Sequence, residues 1–185
     1  APTQISNDLR HCHLVVCGRE AQEAEAVAEI AERSIKDSKS VLVITPDAAG
    51  NQRIAVALAH RNGIQVVPAV GPSSLMLALM ASGLNGQSFA FCGYIPAKTD
   101  DRRSKLRTLE KVSAQLKQTQ IIIETPYRND SLFADMLTVC GSSTRICVAA
   151  NITMPDAYIK TKKVSEWKKE GLVIGKRPCV FLLLA

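Results

Sequence analysis

The stretch Val66-Val67-Pro68-Ala69-Val70-Gly71-Pro72-Ser73-Ser74 leads out of an apolar run, Ile64–Val67, and straight into Leu75–Ser82. It reads as a strand handing over to a helix through a short turn. Pro68 stops the strand, Pro72 suits an early helical position, and Ser73 or Ser74 can cap. Gly83 and Gly86 close the helix. Free N–H groups at such a helix start favour a carboxylate or phosphate. An ordinary capped helix is the competing reading, and four residues alone favour it, because caps occur on most helices.

The same alternation continues in both directions. Upstream, His13–Cys17 and Ser40–Thr45 are short β-rich runs. Glu20–Lys36 places Ala24, Val27, Ala28, Ala31 and Ile35 on one helical stripe, and Ile54–Arg61 is a second helix stopping near Asn62-Gly63. Downstream, strands are expected at Phe89–Cys92, Ile121–Glu124, Arg145–Ala150, Asp156–Lys162 and Cys179–Leu184. Helices are expected at Arg102–Lys117, with Leu106, Leu109, Val112 and Leu116 on one stripe, and at Asp130–Val139. Strand–helix alternation argues for an α/β fold, with a tail rich enough in strands to make part of the sheet antiparallel. The Gly-rich break near Gly86 divides the chain into lobes 1–86 and 87–185.

Composition supports this. Apolar residues make up 46% of the chain but aromatic residues only 4%. The core must therefore be built from Ala, Val, Leu and Ile, the usual stock of sheets covered on both faces. The net charge of +6 is uneven: residues 1–50 hold eight acids and five bases, whereas 98–118 and 151–185 each hold seven bases and three acids. A basic C-terminal half suits a polyanion such as RNA, or equally a well-solvated surface.

Six cysteines without a C-x-x-C pair fit a reduced, cytoplasmic setting better than a disulfide framework. His11-Cys12-His13 with Cys17 matches zinc spacings poorly, so no metal is expected. The first 13 residues lack a signal-peptide pattern, and Val180–Ala185 is too short to span a bilayer, so no membrane partner is expected. Ala1 in place of a methionine reads as a processed or incomplete start.

Three places could carry chemistry besides the opening junction. Glu124 directly follows the apolar Ile121–Ile123, at the strand end where α/β sheets bind ligands. Such a charge needs a partner, and Arg128 is the nearest candidate, so a catalytic carboxylate and a structural ion pair weigh equally. Ala149-Ala150-Asn151-Ile152-Thr153 sets small residues, then polar ones, after a strand, where a flat ligand could pack on backbone. The sequence contains no G-x-G-x-x-G, no P-loop and no G-x-S-x-G, which removes the simplest dehydrogenase, nucleotidase and hydrolase readings.

Taken in order, VVPAVGPSSLMLALMASGLNGQSFAFCGYIPAK, IIIETPYRN, CVAANIT and RPCVFLLL resemble the tetrapyrrole-methylase superfamily, in its branch of ribosomal RNA small subunit methyltransferases. The resemblance covers about residues 54–185. It implies a two-lobed α/β fold with mixed sheets and helices on both faces, distinct from the Rossmann dinucleotide fold. It also implies a homodimer using S-adenosylmethionine, acting on RNA at a ribose 2′-hydroxyl. A non-catalytic RNA- or ribosome-associated protein and a tetrapyrrole methylase are the alternatives. By motif, Gly71, Pro72, Ser73, Ser74, Tyr127, Ala150, Asn151, Arg177 and Pro178 would border the cofactor. Tyr94, Arg102 and Arg103 would face the acceptor, and Glu124 would serve as base. The pattern departs upstream, where VLVITPDAAGNQRI stands in place of an S-D-A-G-T-P run.

Overall fold

A computed structural model describes residues 71–185 together with Val56, Ala57, His60 and Arg61. Those four isolated residues are helical, as expected within Ile54–Arg61. The strands and helix expected before residue 54, the strand Ile64–Val67 and the His11–Cys17 cluster lie outside the described residues.

Gly71–Ala185 is one compact unit. Its elements run α1 (Ser74–Ser82), β1 (Phe89–Gly93), α2 (Thr99–Leu116), β2 (Thr119–Ile123), a 3-10 turn (Pro126–Arg128), α3 (Asn129–Val139), β3 (Arg145–Ala150), β4 (Tyr158–Lys163), α4 (Val164–Glu170) and β5 (Cys179–Leu184). The strands form one sheet in the order β1-β2-β5-β3-β4. β1 and β2 are parallel, as the intervening helix α2 requires, and every other pairing is antiparallel. The α/β reading and the partly antiparallel tail are both present.

Alternation along the strands feeds two cores. Ile122, Ile146, Val148, Ala150, Cys179, Phe181 and Leu183 face Leu106 and Leu109 of α2, Leu132, Phe133 and Met136 of α3, and Val164 and Trp167 of α4. On the other face Ile121, Cys147, Ala149, Val180 and Leu182 meet Ala78 and Leu79 of α1. The Gly83–Gly86 turn thus joins a helix and a strand of the same unit.

Three local expectations change. Leu116 is not on the buried stripe of α2: it is 59% exposed, and Ser113 takes the core position at 0%. The stripe is Arg102, Leu106, Leu109, Ser113, a helical repeat of four, three and four. Ser113 survives there because its hydroxyl donates to Gln118 O at 2.8 Å and accepts from the Ala185 N–H at 3.0 Å. The seven-residue helix α4 was also not foreseen. It carries Trp167 into the core, where Nε1 donates to Ile146 O at 2.9 Å, and its start is capped by Glu166 accepting from the Lys163 N–H. The same holds for the 3-10 turn Pro126–Arg128. No helix among the described residues is long and apolar enough to cross a membrane.

Candidate functional site

Register places three of the singled-out segments at one end of the sheet. Ile123 pairs with Val180, Ala150 with Cys179, and Ala150 with Tyr158. Glu124, Cys179, Ala150 and Tyr158 therefore stand in a row across β2, β5, β3 and β4, and the loops bearing Tyr127, Asn151 and Arg177 leave from it.

The Glu124 side chain is fully enclosed. Its Oε1 accepts from Arg128 Nη2 at 2.5 Å, Arg128 Nε at 3.0 Å and the Thr125 N–H at 2.7 Å. A buried carboxylate needs such partners, and they fold the chain after β2 into its 3-10 turn. Oε2 has no partner among the described residues. Between the two readings of Glu124 the ion pair is the one that forms. The base role does not fit this geometry, because neither oxygen is open to a substrate hydroxyl.

The next two residues fix the loop before β5. Asn129 is wholly buried, and its Nδ2 donates to Gly175 O at 3.0 Å and Arg177 O at 2.7 Å. Asp130 Oδ1 accepts from the Ile174 N–H at 2.7 Å. Within the loop Arg177 Nε donates to Ile174 O at 2.7 Å, and Gly175 adopts φ +67°, where a side chain would be strained. Beyond it the Asn151 N–H donates to Pro178 O at 2.9 Å, and Asn151 Nδ2 donates to Asp156 Oδ2 at 2.6 Å. Asn151 and Thr153 both lie in left-handed backbone, at φ +49° and +72°. Asn tolerates this conformation, whereas for β-branched Thr153 it is strained, a pattern found at ligand-binding loops. Ala150 itself is fully buried.

Two tyrosines project at this end. Tyr127 is 79% exposed, with Lys176 Nζ 5.2 Å from its ring centre. Tyr158 is half-buried between Lys160 Nζ at 5.3 Å and Arg177 Cζ at 5.7 Å. Burial, with Glu170 nearby, holds the Tyr158 hydroxyl above the usual phenol range, so it stays protonated.

The other expected site residues lie elsewhere. Gly71, Pro72, Ser73 and Ser74 are exposed at the start of α1, on the opposite face of the sheet. Ser73 is the N-cap but makes no side-chain cap, so the first N–H groups of α1 have no side-chain partner among the described residues. No hydrogen bond among the described residues ties this turn to the Glu124–Tyr158 row. Tyr94 is 62% exposed after the left-handed Gly93. Arg102 does not face an acceptor: it is buried, with Nε 2.6 Å and Nη2 2.5 Å from Asp135 Oδ2 and Nη1 2.8 Å from Ala97 O. Arg103 shares Asp135 through Oδ1 at 2.6 Å but keeps a partly exposed side chain. Sequence reading missed Asn129, Asp130, Tyr158 and Lys176. Asn-Asp at a helix start signals a cap, but not which distant loop it holds.

No protein-family model matches the chain. Its sequence is 39% identical over 111 residues to ribosomal RNA small subunit methyltransferase I of Vibrio cholerae, covering 60% of this chain and 37% of that one. Against the protein of the same name from Mesorhizobium japonicum it is 34% identical over 127 residues, 69% of this chain and 40% of that one. In three dimensions it is similar to the methyltransferase CobJ (TM-score 0.51, 13% identity, 91% of this chain and 77% of that one). It is likewise similar to diphthine synthase (TM-score 0.52, 15% identity, 90% and 67%). Over the matched stretch the chain is similar to ribosomal RNA small subunit methyltransferase I, and it shares a fold with the methyltransferase CobJ and diphthine synthase. The stretches matched span about two fifths of the length of these sequence relatives.

Proposed function

We propose that this protein is an S-adenosylmethionine-dependent methyltransferase acting on RNA, with a ribose 2′-hydroxyl of small-subunit ribosomal RNA as the acceptor. The observation that carries the reading is the convergence of Tyr127, Ala150-Asn151 and Arg177-Pro178 at one end of a sheet of this fold. The names of the sequence relatives support the chemistry and the RNA class.

The cofactor would supply a methyl group on a sulfonium, which passes in line to the acceptor oxygen as the thioether leaves and the hydroxyl proton goes to solvent. The residues present fit it. Asn151 and Pro178 lock the two loops together, and the uncapped start of α1, on the other face of the sheet, offers N–H donors to a carboxylate. The protein's part is positioning, which in such transfers supplies much of the acceleration. Tyr94 and Arg103 would meet the acceptor, while Glu124 holds Arg128 and the turn beneath Tyr127. A homodimer in the cytoplasm completes the reading. The buried free thiols Cys140, Cys147 and Cys179 suit a reducing compartment.

Calorimetric titration with S-adenosylmethionine and S-adenosylhomocysteine tests this, with binding expected in the range of about 1 μM to 1 mM. Labelled methyl transfer to small-subunit ribosomal RNA and to a porphyrin-type acceptor follows. Absence of cofactor binding overturns the methyltransferase, and label on the tetrapyrrole alone overturns the RNA acceptor.

A further inference from the structure

Tyr127 and Tyr158 share one end of the sheet, and each ring lies within cation–π range of a positive side chain. Tyr127 is the more exposed, and no hydrogen bond of its hydroxyl is made among the described residues. The backbone beneath it is held firmly. Glu124 takes three donors to shape the turn bearing Tyr127, and buried Asn129 spends both amide protons on the carbonyls flanking Lys176. So much fixed, buried polar machinery beneath one exposed ring and one exposed ammonium is more than a solvated surface requires.

We infer that Tyr127 and Lys176 form a stacking platform for an unpaired base of single-stranded RNA, with Tyr158, Arg177 and Lys160 as a second step along the same strand. An aromatic face accepts any base, and an adjacent cation meets the phosphate that follows it. The row geometry sets the spacing: β2 and β4 are three strand intervals of about 4.8 Å apart, roughly 14 Å, which an extended strand of a few nucleotides bridges. A duplex does not suit it, because paired bases offer no free face. Of the acids nearby, Glu124 is paired with Arg128 and Glu170 with Lys160 and Lys162, while Asp130 and Asp156 accept from neutral amides; against these four carboxylates stand the five cations Arg128, Lys160, Lys162, Lys176 and Arg177. The ends of the side chains are therefore left net positive.

The inference rests on the RNA reading above and departs from the cofactor role that resemblance gives Tyr127, so the two are separable. The full chain and its Tyr127→Ala, Tyr127→Phe and Lys176→Met variants are titrated with a short single-stranded RNA, its duplex, and S-adenosylhomocysteine. Tyr127→Ala is expected to bind single-stranded RNA roughly tenfold more weakly, with Tyr127→Phe near the parent, because stacking needs the ring alone. Lys176→Met reduces the slope of log affinity against log salt by about 0.7. Unchanged RNA binding by Tyr127→Ala overturns the platform, as does preference of the parent for duplex. Loss of S-adenosylhomocysteine binding in that variant without loss of RNA binding returns Tyr127 to the cofactor. A parent that binds RNA but no cofactor defeats the methyltransferase and leaves the platform standing.

Discussion

The two faces of the sheet are built from different materials. One is covered by three helices and filled with large side chains: Trp167 meets Phe133 edge-on at 5.4 Å, and Phe133 stacks on Phe181 at 6.4 Å. The other, among the described residues, is covered by α1 and filled with Ala78, Leu79, Cys147, Ala149, Val180 and Leu182. None of the four phenylalanines is in this second core: Phe133 and Phe181 are in the first, and Phe89 and Phe91 stand 40% and 51% exposed on β1. Among the described residues, packing is densest where the few aromatic side chains are pooled. The strand-end loops sit above the well-packed face, so a rigid base carries the positions that need accurate geometry.

Substitutions can break or sharpen this contrast. Trp167→Ala removes the largest buried side chain and a hydrogen bond, and should cost about 3–5 kcal/mol in denaturant unfolding. Leu79→Ala on the thin face should cost about 2–3 kcal/mol, since its neighbourhood is shallower; equal losses would erase the distinction. Asp135→Ala strands buried Arg102 and should cost about 3 kcal/mol. Burial alone would raise the Asp135 pKa, but hydrogen bonds from Arg103 and Arg102 outweigh it and the net shift is downward. Its contribution is therefore present above the ordinary carboxylate value of about 3.9 and is lost as pH falls through the depressed one. Asp135→Ala should lose less stability than the parent on acidification, read from melting temperature against pH. Smallest of all, Met80→Ser on the outer side of α1, 78% exposed, should change stability by no more than about 0.5 kcal/mol. Alkylation at pH 8 should spare Cys140 and Cys179, whose thiols burial pushes up to about 12, and reach half-buried Cys92 before them.

Most of the described strands and helices were legible in the sequence because their patterns are local. Ile146–Ala150 and Cys179–Leu184 are continuous apolar runs, and they form the strands Arg145–Ala150 and Cys179–Leu184. The stripe of α2 was misread at its ends because Arg102 and Ser113 occupy core positions, and only their distant partners make burial tolerable. Helix α4 escaped notice because seven residues between lysine-rich flanks give too short a period to recognise. At the candidate site, the ordered motifs lie on loops at one end of the sheet. They did not reveal that Glu124 is sealed in by Arg128, or that Asn129 reaches across 46 and 48 residues to hold Gly175 and Arg177.

The sequence by itself determined the α/β class, the strand ends that carry the loops, the basic C-terminal half and the likeness to ribosomal RNA methyltransferases. These follow from local periodicity, charge and ordered motifs. Only the tertiary structure decided which polar groups are spent on the fold and which remain free to bind. Pairing across a sheet depends on register, and burial depends on what packs above. That is why Arg102 and Glu124 are structural here, and why Tyr127 and Lys176, unremarkable in the sequence as a pair, meet at the surface.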